Sequence, residues 1–127
     1  MINEWQIDFN AKVIVSQEDI DDILCTAFEG GITYWCDRAR VDGDYRGTYA
    51  SEQVSRGGGV FLHDFEENEE IYLNMDNFLI GLHKYLETDS KILVYSDGSL
   101  VIDTCQVDAD VADQIVQFAI FGEVIYG

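Results

Sequence analysis

The chain has 127 residues, of which 25 are Asp or Glu and 7 are Lys or Arg, so its formal net charge is −18. With 47% apolar and 13% aromatic residues it is too rich in core-forming side chains for a disordered polyelectrolyte. Seven cations in such a field cannot displace counterions, which excludes direct nucleic-acid binding and adhesion to an anionic membrane.

One domain over residues 1–127 is therefore expected, long enough to bury roughly two-thirds of its unfolded surface. Residues 2–15 alternate or run apolar through Ile2, Trp5, Ile7, Phe9, Val13, Ile14 and Val15, the pattern of one bent strand or two short ones. Ser16 with Asp19 marks a helix start, and Ile20, Ile23, Leu24, Ala27 and Phe28 follow at the spacing of an amphipathic helix. Gly30-Gly31 would ordinarily end it. Tyr34 and Trp35 prolong the stripe, however, so the helix is read as continuing, with the glycines admitting a close neighbour.

Residues 37–49 turn around Asp42-Gly43-Asp44, residues 49–55 suit one or two helical turns, and Gly57-Gly58-Gly59 breaks the chain. Residues 59–74 read as a β-hairpin whose tip is Glu66-Glu67-Asn68-Glu69-Glu70, and residues 76–87 as a second helix. Residues 91–95 and 100–103 predict a second hairpin around Asp97-Gly98. Asp108 caps a last helix carrying Val111, Ile115, Val116, Ala119 and Ile120, Gly122 ends it, and the apolar tail 123–127 is placed in or on the sheet. Strand pairs separated by single helices imply an α+β fold, a mainly antiparallel sheet with about three helices packed on it.

The acidic start and the lack of any apolar run near ~18 residues predict a soluble protein of the host cytoplasm. Cys25, Cys36 and Cys105 are odd in number and lack a Cys-x-x-Cys spacing, as expected of reduced thiols. Together with His63 and His83 they are the strongest candidates for zinc, but no close ligand pair supports it, and ordinary core thiols and histidines explain them better. A Cys36–His63 pair could ionise as a nucleophile, yet no thiol-enzyme motif surrounds it. Asp108, Asp110 and Asp113 lack the glycine and terminal Glu of a calcium loop, and Gly57-Gly58-Gly59 precedes a strand rather than the helix that a phosphate loop needs. No catalytic residue, metal or cofactor is expected. Arg38, Arg40, Arg46 and Arg56 fall within 19 positions, either to neutralise nearby acids or to grip a carboxylate or phosphate.

The acids carry the remaining signal. Residues 64–70 hold five of them, Asp64, Glu66, Glu67, Glu69 and Glu70, and residues 92–127 hold six with no base, among them Asp108, Asp110 and Asp113. A rigid array of carboxylates can occupy a groove built for phosphates, so these eight residues are the candidate contacts to a basic partner.

At Glu29-Gly30-Gly31-Ile32-Thr33-Tyr34-Trp35-Cys36-Asp37, at Tyr49-Ala50-Ser51-Glu52-Gln53-Val54-Ser55-Arg56-Gly57-Gly58 and at Phe121-Gly122-Glu123-Val124-Ile125-Tyr126-Gly127, the chain resembles small acidic proteins of bacteriophages and integrative elements of Firmicutes. The resemblance runs over most of the length and brings no functional residue set with it. Small acidic phage proteins include anti-CRISPR proteins, some of which occupy the DNA channel of an RNA-guided nuclease. By that analogy of class and charge, the resemblance implies a non-enzymatic inhibitor that docks on a basic nucleic-acid-binding protein, foremost a CRISPR effector nuclease, and blocks its access to nucleic acid. The alternatives are a zinc-binding or thiol-dependent small enzyme, and a homo-oligomeric accessory protein of the element held together through Tyr34, Trp35 or Tyr126.

Overall fold

A computed structural model describes residues 4–8 and 12–127. Ile2 and Phe9 of the first apolar pattern lie outside them. That pattern resolves into two short strands, β1 (Glu4–Asp8) and β2 (Lys12–Ser16), antiparallel with Trp5 opposite Val15 and Ile7 opposite Val13. Ile7, Val13 and Val15 point into the core, while Gln6 is exposed, as the period of two requires. Helix α1 (Gln17–Thr26) starts where the sequence predicts: Asp19 N–H donates to Ser16 Oγ and Ser16 N–H donates to the Asp19 carboxylate, both at 3.0 Å.

The helix does not continue past Gly30-Gly31. A π-turn over Ala27–Gly31 closes it, residues 32–35 form a turn, and Cys36 opens β3 (Cys36–Val41). Tyr34 and Trp35 match the helical spacing without belonging to the helix. The expected close approach at the glycines is real: a Cβ on Gly31 would lie 2.7 Å from Ala109 O, at the start of the last helix.

Strands β3, β4 (Val60–Asp64) and β5 (Glu69–Leu73) form an antiparallel sheet, with a bulge in β3 between Cys36 and Arg38. The link from β3 to β4 contains two short 3-10 turns, Ala50–Glu52 and Val54–Arg56. Buried Gln53 pins the preceding loop, accepting Arg46 N–H at 2.9 Å and donating to the carbonyls of Asp42 and Asp44 at 3.4 and 3.1 Å. Helix α2 (Met75–Thr88) is capped by Asn74, which accepts Asn77 N–H at 3.1 Å.

Strands β6 (Leu93–Ser96) and β7 (Ser99–Ile102) join through Asp97 and Gly98, both left-handed (φ 52° and 82°), the geometry of a two-residue hairpin turn. Helix α3 (Ala109–Phe121) is capped by Asp108, which accepts Val111 N–H at 2.9 Å, and ends at left-handed Gly122.

The fold is α+β, and its strands divide between two sheets. β7 pairs parallel with β2, giving the order β1-β2-β7-β6, while the acidic-tipped hairpin stands in the separate β3-β4-β5 sheet. α2 packs along α3, and a core running through both sheets and all three helices is anchored by Trp35, Phe78 and Tyr85. The tail lies on α3 rather than in a sheet: Ile125 and Tyr126 N–H donate to Gln117 Oε1 at 2.8 and 2.9 Å.

Candidate functional site

Two of the eight candidate acids face inward. Asp64, at the end of β4, is 1% exposed: one carboxylate oxygen accepts the backbone N–H groups of Glu66 and Glu67 at 2.9 and 3.3 Å, and the other accepts the Tyr126 hydroxyl at 2.8 Å. Asp113, on α3, is 6% exposed and accepts Trp35 Nε1–H and Gln117 Nε2–H at 2.8 Å and the Tyr34 hydroxyl at 2.6 Å. These carboxylates organise the interior, because a buried charge is tolerated only where hydrogen bonds replace its lost water. Neither carboxylate is exposed, which corrects the expectation of an outward-facing charge at both.

A third candidate is already neutralised. Glu70 takes a two-pronged ion pair from Arg40, at 3.0 and 3.3 Å, which holds its carboxyl below the usual range. Asp108 is exposed but its carboxylate caps α3. Among the described residues Glu66, Glu67, Glu69 and Asp110 are exposed and make no ion pair, so these four form the outward array.

The inward pair explains how hairpin tip and helix start come together. The Tyr126 ring stacks on Trp35 with centroids 5.6 Å apart, and Phe121 closes the group 5.4 Å from Trp35. Tyr34 is pushed up to about 12, first by burial, then by its hydrogen bond to Asp113, with Asp110 adding to the effect. Tyr126 is likewise pushed up to about 12, by burial, then Asp64, with Glu67 and Glu66 contributing. Acids from the tip and from α3 thus border one aromatic cluster.

The tip has a second clasp. His63, on β4, sets Nδ1 2.6 Å from Asp37 Oδ1 and Nε2 2.9 Å from Oδ1 of Asn68, the left-handed residue between Glu67 and Glu69. With an oxygen at each ring nitrogen the imidazolium is favoured: Asn68 and then Asp37 raise its pKa, and the His63 bond lowers that of Asp37.

The side chains of Cys36 and His63 do not pair with each other. Cys36 Sγ donates to Arg38 O at 3.3 Å while the His63 ring is bound to Asp37 and Asn68. Burial pushes the Cys25 and Cys36 thiols up, away from the thiolate form. Among the described residues no group of three or more His, Cys, Asp or Glu is placed to hold a metal ion, and no helix is long and apolar enough to cross a membrane. Three of the four clustered arginines turn onto their own chain: Arg40 to Glu70, Arg56 to Asp21 at 3.2 Å, and Arg46 to Arg56 O at 3.1 Å.

Sequence reasoning missed Gln117, Asn68 and the inward role of Asp113. A signal was present for two of them: Asp113 and Gln117, four apart on α3, are polar positions among Ala112, Val116 and Ile120, and a polar pair at that spacing inside an apolar stretch reports a buried network. No family model, no curated protein and no solved structure matches the chain.

Proposed function

We propose that this chain is a non-enzymatic, acidic binding protein that docks on a basic nucleic-acid-binding protein and blocks its access to nucleic acid. One observation carries the reading: Glu66, Glu67, Glu69 and Asp110 project from a framework whose inward carboxylates Asp64 and Asp113 are hydrogen-bonded, so the backbone that carries the outward charges is held in place. A backbone already ordered spends no further loop entropy on binding, and its carboxylates can compete with a phosphate backbone for the same cations. A net charge of −18 steers the chain toward a basic groove and away from nucleic acid itself. The resemblance to small acidic phage proteins suggests the partner, a CRISPR effector nuclease, which holds its heteroduplex in a positively charged channel.

The test is competition. The chain is titrated into a guide-loaded effector nuclease, and target-DNA binding is read at low and moderate salt. Loss of DNA binding that weakens as salt rises, and that is abolished by combining Glu66→Gln, Glu67→Gln, Glu69→Gln and Asp110→Asn, supports the reading. Competition by the quadruple variant equal to wild type, with the same salt sensitivity, rules out mimicry of phosphate.

A further inference from the structure

The chain itself shows how it holds an arginine. The Arg40 guanidinium carbon lies 4.5 Å from the centroid of the Phe61 ring, while Nη2 and Nε donate to Glu70 at 3.0 and 3.3 Å. An aromatic face and a carboxylate act together on one planar cation.

The same ingredients recur around the Trp35–Tyr126 stack. Tyr34 is 47%, Phe65 41% and Ile125 48% exposed, and what sets them apart from the chain's other exposed apolar groups, such as Tyr45 and Tyr95, is that they are grouped. They are tied to one frame: Phe65 N–H donates to Trp35 O at 3.1 Å, Ile125 N–H donates to Gln117 Oε1 at 2.8 Å, and Gln117 Nε2 reaches the Tyr34 hydroxyl at 3.4 Å. Glu66 and Glu67 follow Phe65 directly, and Asp110 stands on α3 three residues before Asp113, the acceptor of the Tyr34 hydroxyl. An apolar centre within a charged rim is the anatomy of a protein interface.

We infer that this surface docks an arginine-rich segment of a protein partner, with guanidinium planes stacked on Tyr34 and Phe65 and paired with Glu66, Glu67 and Asp110. The inference rests on the docking function proposed above and narrows the partner's chemistry from basic to arginine-bearing. Lysine is a compact, strongly hydrated charge that neither forks onto a carboxylate nor stacks as a plane. A second copy of the chain would bring another −18 to the same rim, and nucleic acid is repelled by it.

The probes are deca-arginine and deca-lysine peptides, titrated into the full chain at about 0.15 M salt, with affinity read by fluorescence and location by backbone-amide NMR. Deca-arginine is expected to bind about three- to fivefold more tightly, with shifts centred on Tyr34, Phe65, Glu66 and Ile125. Phe65→Ala removes that preference and leaves a weaker, charge-driven binding common to both peptides. Phe65→Leu, which keeps the apolar bulk and lacks only the aromatic face, repeats the reading if Phe65→Ala perturbs the amide spectrum of the free protein. Equal affinities for the two peptides, or shifts centred on acids of other elements, such as Glu18 on α1, Glu87 on α2 and Asp97 in the β6–β7 turn, overturn the inference. Nuclease competition without arginine preference overturns this inference alone. Arginine preference at this surface without nuclease competition upholds it and removes the nuclease as the partner.

Discussion

The Tyr126 hydroxyl donates to Asp64 at 2.8 Å, and the same carboxylate receives the backbone N–H groups of Glu66 and Glu67, so tail and hairpin tip share one buried anion. Asp64→Ala leaves a part-buried phenol and two turn amides without their acceptor, and is expected to cost about 1–3 kcal/mol in urea unfolding. It also loosens the tip, seen as faster amide exchange at residues 65–68. The phenol has its own signature. Tyr34 and Tyr126 are both pushed up to about 12 from the ordinary phenol value of 10.0, and Tyr126→Phe is expected to remove one late step from the ultraviolet titration. Because the folded pKa is raised, the stabilisation linked to these protons is complete below pH 10 and is lost as pH rises through about 12.

Asp113 holds the other half of the frame, accepting from Trp35, Tyr34 and Gln117. Asp113→Ala strands the indole N–H of a fully buried tryptophan and frees the Gln117 amide that anchors the tail. The expected loss is about 2–4 kcal/mol, with a changed near-ultraviolet circular dichroism signal from Trp35 and exchange protection lost at Ile125 and Tyr126. Asp113→Asn retains acceptor capacity at one oxygen and is expected to lose less.

His63 supplies a pH dependence of opposite sign to that of a carboxylate. Its ring is faced by Asn68 from the tip and Asp37 from β3, with Arg38 on β3 opposing its charge and Glu70 lying opposite it on β5. Since its folded pKa is raised, the stabilisation is fully present below the ordinary imidazole value of 6.5 and fades as pH rises through the folded value. The Asp37 partner, whose pKa is lowered, contributes above 3.8 and loses its contribution as pH falls through its folded value. His63→Gln is expected to flatten the stability profile on the neutral side and to speed amide exchange at residues 66–69. An unchanged profile would mean that the imidazolium does not hold the tip.

How much of this was legible in the sequence follows from the range of each interaction. Ser16 with Asp19 and Asp108 with Val111 lie three residues apart, and Asp97-Gly98 closes its own turn, so caps, helices and hairpins could all be read locally. The pairing of β2 with β7 joins opposite ends of the chain, and nothing near Ile14 or Val101 announces it. The end of α1 was hidden because Tyr34 and Trp35 fit its stripe by spacing, whereas the deciding contact is Gly31 against Ala109. The eight acids looked alike in composition: Asp64 is set apart by the two turn amides it accepts locally and by Tyr126, far away in the chain, and only the last contact has no local sign.

Gly81 marks the closest approach of α2 to α3. A Cβ there would lie 2.5 Å from the backbone N and Cα of Ala119, contacts that a side-chain rotation cannot relieve. Gly81→Ala gains helix propensity of about 1 kcal/mol but forces the helices apart, at a typical overpacking cost of about 1–3 kcal/mol. The expected outcome is a lower melting temperature, with the strongest amide shifts at residues 117–121. A higher melting temperature would show that the helix pair slides to accept the methyl.

The division between inward and outward acids can be tested without a partner. Glu66, Glu67, Glu69 and Asp110 stand in water without ion pairs, in a molecule of net charge −18, so their mutual repulsion opposes the compact state. The combined Glu66→Gln, Glu67→Gln, Glu69→Gln and Asp110→Asn variant is expected to melt at or slightly above the wild-type temperature, each site contributing within about 0.5 kcal/mol. The gain should shrink in high salt, where repulsion is already screened. Adding Asp64→Ala or Asp113→Ala to that variant reinstates the full loss, because the inward carboxylates act through hydrogen bonds rather than through net charge. Equal destabilisation by outward and inward substitutions would mean that the outward acids are part of the framework, and a surface so committed could not also serve a partner.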